Sequence, residues 1–226
     1  MSIMTEAEAK AILDKVIALS QADECTATLT GSVEGNIRFA LNNVSTSGVV
    51  SDISLGVQVA FGRRVGTASI NEFSDAALER VVRRAEDLAR LAPENPEFVP
   101  AIEPQTYRSS DTFSQATADI TPQQRAEVAR ASIEPCRAQN LIAAGFLQDS
   151  QSFIAFANSN GNFGYQKATD ANYTCTVRTE DGTGSGWVAK NVQDIRNFNA
   201  ADDIQIAMRK ASASVDAQAL EPGKYT

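Results

Sequence analysis

Along this chain, stretches in which apolar and polar residues strictly alternate lie between stretches of helical spacing, and the order of the two kinds repeats. Ile12, Leu13, Val16 and Ile17 form a helical stripe behind Thr5-Glu6-Ala7-Glu8. That tetrapeptide fits a capping box, in which the Thr and Glu side chains satisfy each other's backbone donors, and it predicts a helix to about Ser20. Cys25, Ala27, Leu29 and Val33 then alternate with polar residues and predict a strand. Glu34-Gly35-Asn36 reads as a turn into a second strand over 37–41, and Asn42-Asn43 with 45–48 reads as loop. Ile53, Leu55, Val57, Val59 and Phe61 predict a third strand, which Gly62-Arg63 turns into a fourth over 65–70. Ser74 is placed to cap a helix buried through Leu78, Val81, Val82, Ala85 and Leu88. Its Arg80, Arg83, Arg84 and Arg90 interleave with Glu79, Glu86 and Asp87 and read as a solvated, salt-bridged face.

Pro93, Pro96, Pro100 and Pro104 break regular structure, so 93–110 reads as an extended linker between a first unit, 1–92, and a second, 111–226. Thr121-Pro122 starts a new helix, which Pro135 is expected to kink or end. Strands follow over 141–147 and 153–157, then a turn over 158–162. The stretch 169–190 reads as a hairpin: Tyr173, Cys175 and Val177 alternate with polar residues, Asp181-Gly182 suits a type I′ turn, and Gly184 and Gly186 open the return strand before Trp187. A helix near 200–215, capped by Asn199, closes the pattern. Each half reads helix, four strands, helix, with Phe39-Ala40-Leu41-Asn42 aligned on Phe156-Ala157-Asn158-Ser159 and Phe61-Gly62 on Asp181-Gly182. The fold class expected is therefore α+β: two similar helix–four-strand–helix units with antiparallel sheets and an internal duplication. Pro222-Gly223 before Lys224-Tyr225-Thr226 reads as a turn leading into a further strand, so a C-terminal domain is expected beyond it.

Composition narrows the chemistry. Of the 226 residues, 43% are hydrophobic and 21% charged, as in ordinary globular proteins. No apolar run approaches a membrane span, and no secretory signal is visible. Cys25, Cys136 and Cys175 are widely spaced and read as reduced cysteines of a cytoplasmic protein. A net charge of -8 without a basic patch argues against nucleic acid as a direct ligand. With no histidine at all, the chain cannot build a Ser-His or Cys-His dyad or a His-containing zinc site of its own.

The remaining candidates are weighed on context. Asp181-Gly182-Thr183-Gly184-Ser185-Gly186 resembles a phosphate loop, but such a loop runs into a helix, whereas Trp187-Val188-Ala189 reads as strand. Ser185 lacks the strand–turn–helix elbow of a nucleophile, and Cys175 reads as a buried strand cysteine. Asp202-Asp203 reads as acids placed at a helix N-terminus by the dipole. What survives is a surface on which Gly184 and Gly186 leave room beside Trp187 for another backbone. Asn42, Arg178, Asp181, Gly182, Gly184, Gly186 and Trp187 are the candidate peptide contacts.

Taken together, several motifs resemble one known family. Arg38-Phe39-Ala40-Leu41-Asn42 with the Ser/Thr-rich stretch after it, the run from Gly56 through Phe61-Gly62-Arg63-Arg64 to Ala68, Val177-Arg178-Thr179, the run from Asp181 to Trp187, and Leu220-Glu221-Pro222-Gly223-Lys224-Tyr225-Thr226 are similar to the N-terminal region of the TldD/PmbA family. These are the so-called modulators of DNA gyrase, related to metallopeptidases. The resemblance implies a soluble protein that dimerises around an internal cavity and processes unfolded peptides, as a homodimer or a TldD/PmbA-type heteromer. It also implies that zinc, in the active members, is held by a His-Glu-x-x-x-His helix and a cysteine C-terminal to this region. None of those ligands carries over to a chain without histidine, and the three cysteines do not match the family's metal-binding one. No cofactor is therefore expected in this chain. Its expected role is the chamber wall and peptide-binding sheet of such a protein, next to its own C-terminal domain. The alternative is a non-enzymatic adaptor that binds a partner such as gyrase or an antitoxin, or an inactive PmbA-like partner subunit.

Overall fold

The computed structural model describes residues 2–225. Its elements run α1 (Glu6–Leu19), β1 (Glu24–Ala40), β2 (Asn43–Phe61), β3 (Arg64–Ile70), α2 (Asp75–Leu91), a short α3 (Gln115–Ala118), α4 (Pro122–Ala138), β4 (Leu141–Asn158), β5 (Phe163–Thr179), β6 (Ser185–Val192) and α5 (Ala200–Ala213). The strands form one sheet in the order β3-β2-β1-β4-β5-β6. The fold class is as expected, α+β with antiparallel pairing, as the printed registers of β2 with β3 and β5 with β6 show. Each half holds three strands rather than four, because β1 and β4 run on without a break where a turn was expected in the first half and two separate strands in the second.

Gly35 explains the misplaced turn. It is a buried strand residue, and a methyl group there would lie 1.7 Å from Nη2 of Arg125. The glycine is there to admit a guanidinium, and its conformational freedom is not used. The Ser/Thr-rich stretch after Asn42 is strand as well: the hydroxyl of Ser45 donates to the Arg38 carbonyl (3.2 Å) and that of Ser47 to the Asn36 carbonyl (2.9 Å). The actual turn is Leu41-Asn42, both at positive φ (51° and 57°), as a two-residue type I′ hairpin requires. At the expected type I′ site, only Gly182 has positive φ (76°), and the loop is longer. Pro135 does not end its helix. α4 continues through Pro135 to Ala138, so the lost hydrogen bond and the crowding of the preceding turn are tolerated with only three helical residues left to follow.

The chain divides into two compact units, each built from non-consecutive segments. Unit 1 is the chain up to Val33, Val50–Phe113 and Gln151–Ala168; unit 2 is Glu34–Val49, Ser114–Ser150 and the chain from Thr169 on. In unit 1, α1 and α2 pack on Cys25, Ala27 and Leu29 of β1, Leu55, Val57 and Val59 of β2, and Phe153 and Ala155 of β4. In unit 2, α4 and α5 pack on Ile37 and Phe39 of β1, Leu141, Ala143 and Leu147 of β4, and Tyr173, Cys175 and Val177 of β5. Phe39 is buried whereas Phe156 is half-exposed, so the alignment of one on the other is off by a single residue. In a strand such a slip exchanges the two faces. Ala157 is the buried counterpart of Phe39.

Two glycines set the helix-to-strand contacts of the two halves in the same way. A methyl group on Gly66 of β3 would lie 2.1 Å from the Ala85 carbonyl oxygen and 2.3 Å from the Ala89 nitrogen. On Gly186 of β6 it would lie 2.0 Å from the Ala207 carbonyl oxygen and 2.6 Å from the Ala211 nitrogen. Capping boxes begin both α1, at Thr5, and α4, at Thr121. Glu86 departs from the expected solvated face of α2. It is fully buried, pairs with Arg83 at 2.7 Å and accepts from the Gln21 backbone at 2.7 Å.

The Pro-rich segment after α2 is extended, as its prolines predict, but it is held down. Asn158 and Asn162 donate side-chain amides to the Ile102 carbonyl (3.2 and 2.8 Å). The Asn162 carboxamide oxygen accepts from the Gln105 backbone (2.8 Å) and the Tyr107 hydroxyl (3.1 Å). The Tyr107 ring meets Phe156 edge-on at 5.3 Å. We call this bound segment the strap.

Candidate functional site

The glycine hairpin is the first place to examine, since the sequence directs attention there. Gly184 and Gly186 do admit another backbone, and that backbone is the chain's own α5. A methyl group on Gly184 would lie 2.2 Å from the Ala211 carbonyl oxygen. On that face the space attributed to a peptide is filled. Trp187 points the other way and is 55% exposed, and its carbonyl accepts from the Lys210 ammonium at 3.0 Å. Arg178 sits opposite Ser185 in the β5–β6 register and is exposed. Asp181 accepts from the Thr179 hydroxyl (2.6 Å) and the Thr183 backbone (3.1 Å), which hold its carboxyl below the usual range, Thr179 most strongly. That is the chemistry of a closed loop: the side chain already has its partners. Gly182 supplies the positive φ and meets nothing.

Asn42 lies at the other hairpin end. Its amide donates to the Leu141 carbonyl (2.8 Å), its oxygen accepts from the Ala143 backbone (2.8 Å), and its own carbonyl accepts from Arg137 (2.7 Å). It therefore fastens β1 to β4. With Arg137, Asn140 and Glu180 it lines a small cleft of about 190 Å³. The structure thus keeps Arg178, Asp181 and Trp187 on one hairpin and sets Asn42 apart as a structural tie.

A more open surface was concealed by the loop reading of 45–48. β3 pairs with β2 over Leu55–Phe61 only, so the preceding part of β2 has no strand on that side among the described residues. Every residue from 43 to 52 is exposed. From Asn43 to Ser51 none carries a charge, and Val44, Val49 and Val50 are 52%, 49% and 62% exposed. Natural edge strands are usually guarded by charge, proline or a cover, and among the described residues the stretch before Asp52 has neither charge nor proline. The corresponding part of β5, which β6 leaves unpaired before Ala171, is flanked instead: Thr112, just beyond the strap, donates its hydroxyl to the Lys167 carbonyl at 2.9 Å. The missed signal was the uncharged run itself, which reads equally as loop or as a bare edge.

Unit 1 also holds an open cleft of about 550 Å³ between strap residues and the sheet, with Phe156, Gly164 and Gln166 on the sheet side. Phe156 lies over Gly164, where a methyl group would come within 2.6 Å of the ring.

Metal ligation has little to draw on. Among the described residues no group of three His, Cys, Asp or Glu side chains could hold an ion. The three cysteines are free and buried, and burial pushes the Cys136 thiol up to about 12 and those of Cys25 and Cys175 to about 11. Thiolate is the form that binds metal and attacks electrophiles, so these thiols are inert as folded. Iodoacetamide at about pH 8 is accordingly expected to modify none of the three in the native protein and all three in denaturant. Mass spectrometry reads the outcome, and a native adduct at Cys175 would contradict it.

Comparison with known proteins places the arrangement. Residues 28–89 match the model described as PmbA/TldA metallopeptidase domain 1, and residues 115–215 match the PmbA/TldA metallopeptidase central domain. The chain belongs to the PmbA/TldD family. Among solved structures, it is similar to TldE from Thermococcus kodakarensis, with 17% identity and a TM-score of 0.80 over 90% of this chain and 47% of that one. A protein described as a modulator of a DNA gyrase from Thermotoga maritima MSB8 gives 13% identity and a TM-score of 0.84, over 95% of this chain and 50% of that one. Another, from Bacteroides thetaiotaomicron VPI-5482, gives 17% and 0.81, over 99% of this chain and 53% of that one. The chain thus spans about half the length of these PmbA/TldD-type structures. No curated protein matches it. No helix among the described residues is long and apolar enough to cross a membrane.

Proposed function

We propose that this chain is a non-catalytic part of a PmbA/TldD-type protein. It forms a wall of the chamber in which unfolded peptides are processed, and it offers them a strand edge. The observation that carries this reading is the bare, uncharged edge of β2 over 43–49. An extended peptide added there would bond through its main chain, which suits substrates of no fixed sequence. Zinc and hydrolysis belong, on this reading, to a C-terminal region of active members; the absence of histidine from this chain supports that assignment. The assembly is a homodimer or a TldD/PmbA heteromer acting in the cytoplasm.

The test is fluorescence anisotropy with a labelled, unfolded peptide of mixed sequence. Placing lysines on the edge (Ser47→Lys with Val49→Lys) is expected to weaken binding about tenfold, or about 1.4 kcal/mol. Asp181→Ala, in the self-satisfied loop, should leave it unchanged. Equal binding by the lysine variant would remove the edge from consideration. A second reading, an adaptor for a protein partner such as gyrase, is favoured by the description of two of the similar structures as gyrase modulators. Binding of folded partner but not of unfolded peptide would select it.

A further inference from the structure

The internal repeat continues past the helices. Ile102-Glu103-Pro104-Gln105-Thr106-Tyr107, in the strap after α2, and Leu220-Glu221-Pro222-Gly223-Lys224-Tyr225, after α5, share an aliphatic residue, Glu-Pro and Tyr at one spacing. The offset is 225 − 107 = 118 residues. The same offset relates Leu29 to Leu147 (147 − 29 = 118) and Phe39 to Ala157, buried at equivalent places in β1 and β4.

The two copies are seated differently. In unit 1 the first lies on the strand face away from the helices. Ala101 donates its backbone to Glu24 (2.8 Å), Ile102 and Glu103 accept from Asn162 (2.8 and 3.0 Å), and Tyr107 meets Phe156. In unit 2 the second is unseated: Leu220 is 74% and Tyr225 62% exposed.

The matching surface exists within unit 2, and it is charged. Stepping back 118 residues from Phe156 gives Arg38, and the place of Glu24 is taken by Ile142. Arg38 and Arg178 are exposed on this strand face, and one side of the Arg38 guanidinium lies over the Phe146 ring, 5.1 Å from its centre, leaving the other side open. The Arg178 side chain has no hydrogen-bond or ion partner among the described residues. The segment after α5 brings Asp216 and Glu221.

The reach suffices. The Ser214 hydroxyl, at the end of α5, accepts from the Ser185 backbone at the start of β6 (2.8 Å). β6, β5, β4 and β1 are successive strands, so β1 lies three spacings away, about 14 Å. The six residues from Ser214 to Leu220 extend up to about 20 Å.

We propose that residues 216–225 seat on this face as the strap does on its own. They cross β5 at Arg178 and end on β1 at Arg38, with Glu221 and Asp216 paired to the two arginines and the Tyr225 ring over the Arg38 guanidinium. This does not rest on the peptide reading, because the segment belongs to the chain itself and the surface is the strand face, not the β2 edge.

Two measurements on the whole chain test it. Cysteines at Ala40 and Lys224 (Ala40→Cys, Lys224→Cys), which leave Tyr225 in place, are expected to be joined within one chain by a short bismaleimide, the native cysteines being buried. Charge reversal by Arg38→Glu with Arg178→Glu, both at exposed positions, is expected to speed amide exchange over 216–225 at least about tenfold. Cross-linking only between chains, no cross-link, or unchanged exchange in the reversed variant would each overturn the proposal.

Discussion

Alanine in place of Gly186 is expected to destabilise unit 2 by about 3 kcal/mol or more. The added methyl group meets the Ala207 carbonyl oxygen at 2.0 Å and the Ala211 nitrogen at 2.6 Å, below any real contact distance for a carbon. Both are helix backbone, so no side chain can rotate away. α5 must rise off β6, and Val188, Ile204, Ala207 and Ala211 lose part of their burial. Gly66→Ala should do the same to α2 in unit 1, where the contacts are 2.1 and 2.3 Å. Gly62→Ala is the control. It has positive φ (57°) with open space around it, so it should cost only the left-handed conformation, about 1–2 kcal/mol. Urea midpoints at constant slope measure all three. If Gly186→Ala proves no worse than Gly62→Ala, the glycine is not what sets the height of the helix.

The second large effect concerns Arg125 and Asp149. Both are buried, 4% and 6% exposed, and bonded through two contacts: Nε to Oδ1 at 2.5 Å and Nη2 to Oδ2 at 2.7 Å. Among the described residues, Asp149→Ala would leave the guanidinium only the Ile120 carbonyl, at 3.3 Å. A buried charge stripped of its partner costs about 3–5 kcal/mol. Replacing both, Arg125→Met with Asp149→Leu, should recover most of that loss, since a matched apolar pair avoids desolvation altogether. A double variant as unstable as Asp149→Ala would mean that the pair's geometry, and not its charge, holds α4 to the sheet.

Much of this fold can be read from the alternation of side chains, because a half-buried strand and an amphipathic helix each impose their own period. The caps at Thr5, Ser74, Thr121 and Asn199 stand where their residue types and the stripes behind them predict. The failures share one cause: a glycine or a polar run has more than one meaning until its neighbours are known. Gly35 reads as a turn because nothing nearby in sequence announces Arg125, ninety residues on. Gly184 and Gly186 correctly announce a close backbone, but sequence cannot say whose, and it is α5. The Ser/Thr-rich run after Asn42 has no buried face, so no period reveals it as strand, and with it the exposed edge stayed hidden. The Phe39–Phe156 alignment failed by a single residue, which in a strand separates core from solvent.

The way each unit draws on both halves of the chain bears on how the protein can be made. Unit 1 takes in Gln151–Ala168, and unit 2 takes in Glu34–Val49. During synthesis the first half therefore cannot close its core when α2 leaves the ribosome. It must wait until β4 and the start of β5 have emerged, with Leu29, Leu55 and Val57 incompletely covered meanwhile. Contacts so distant in sequence slow folding, and the waiting state exposes an uncharged strand. A nascent chain stalled soon after Leu91 is thus the species for which chaperones should have the strongest affinity.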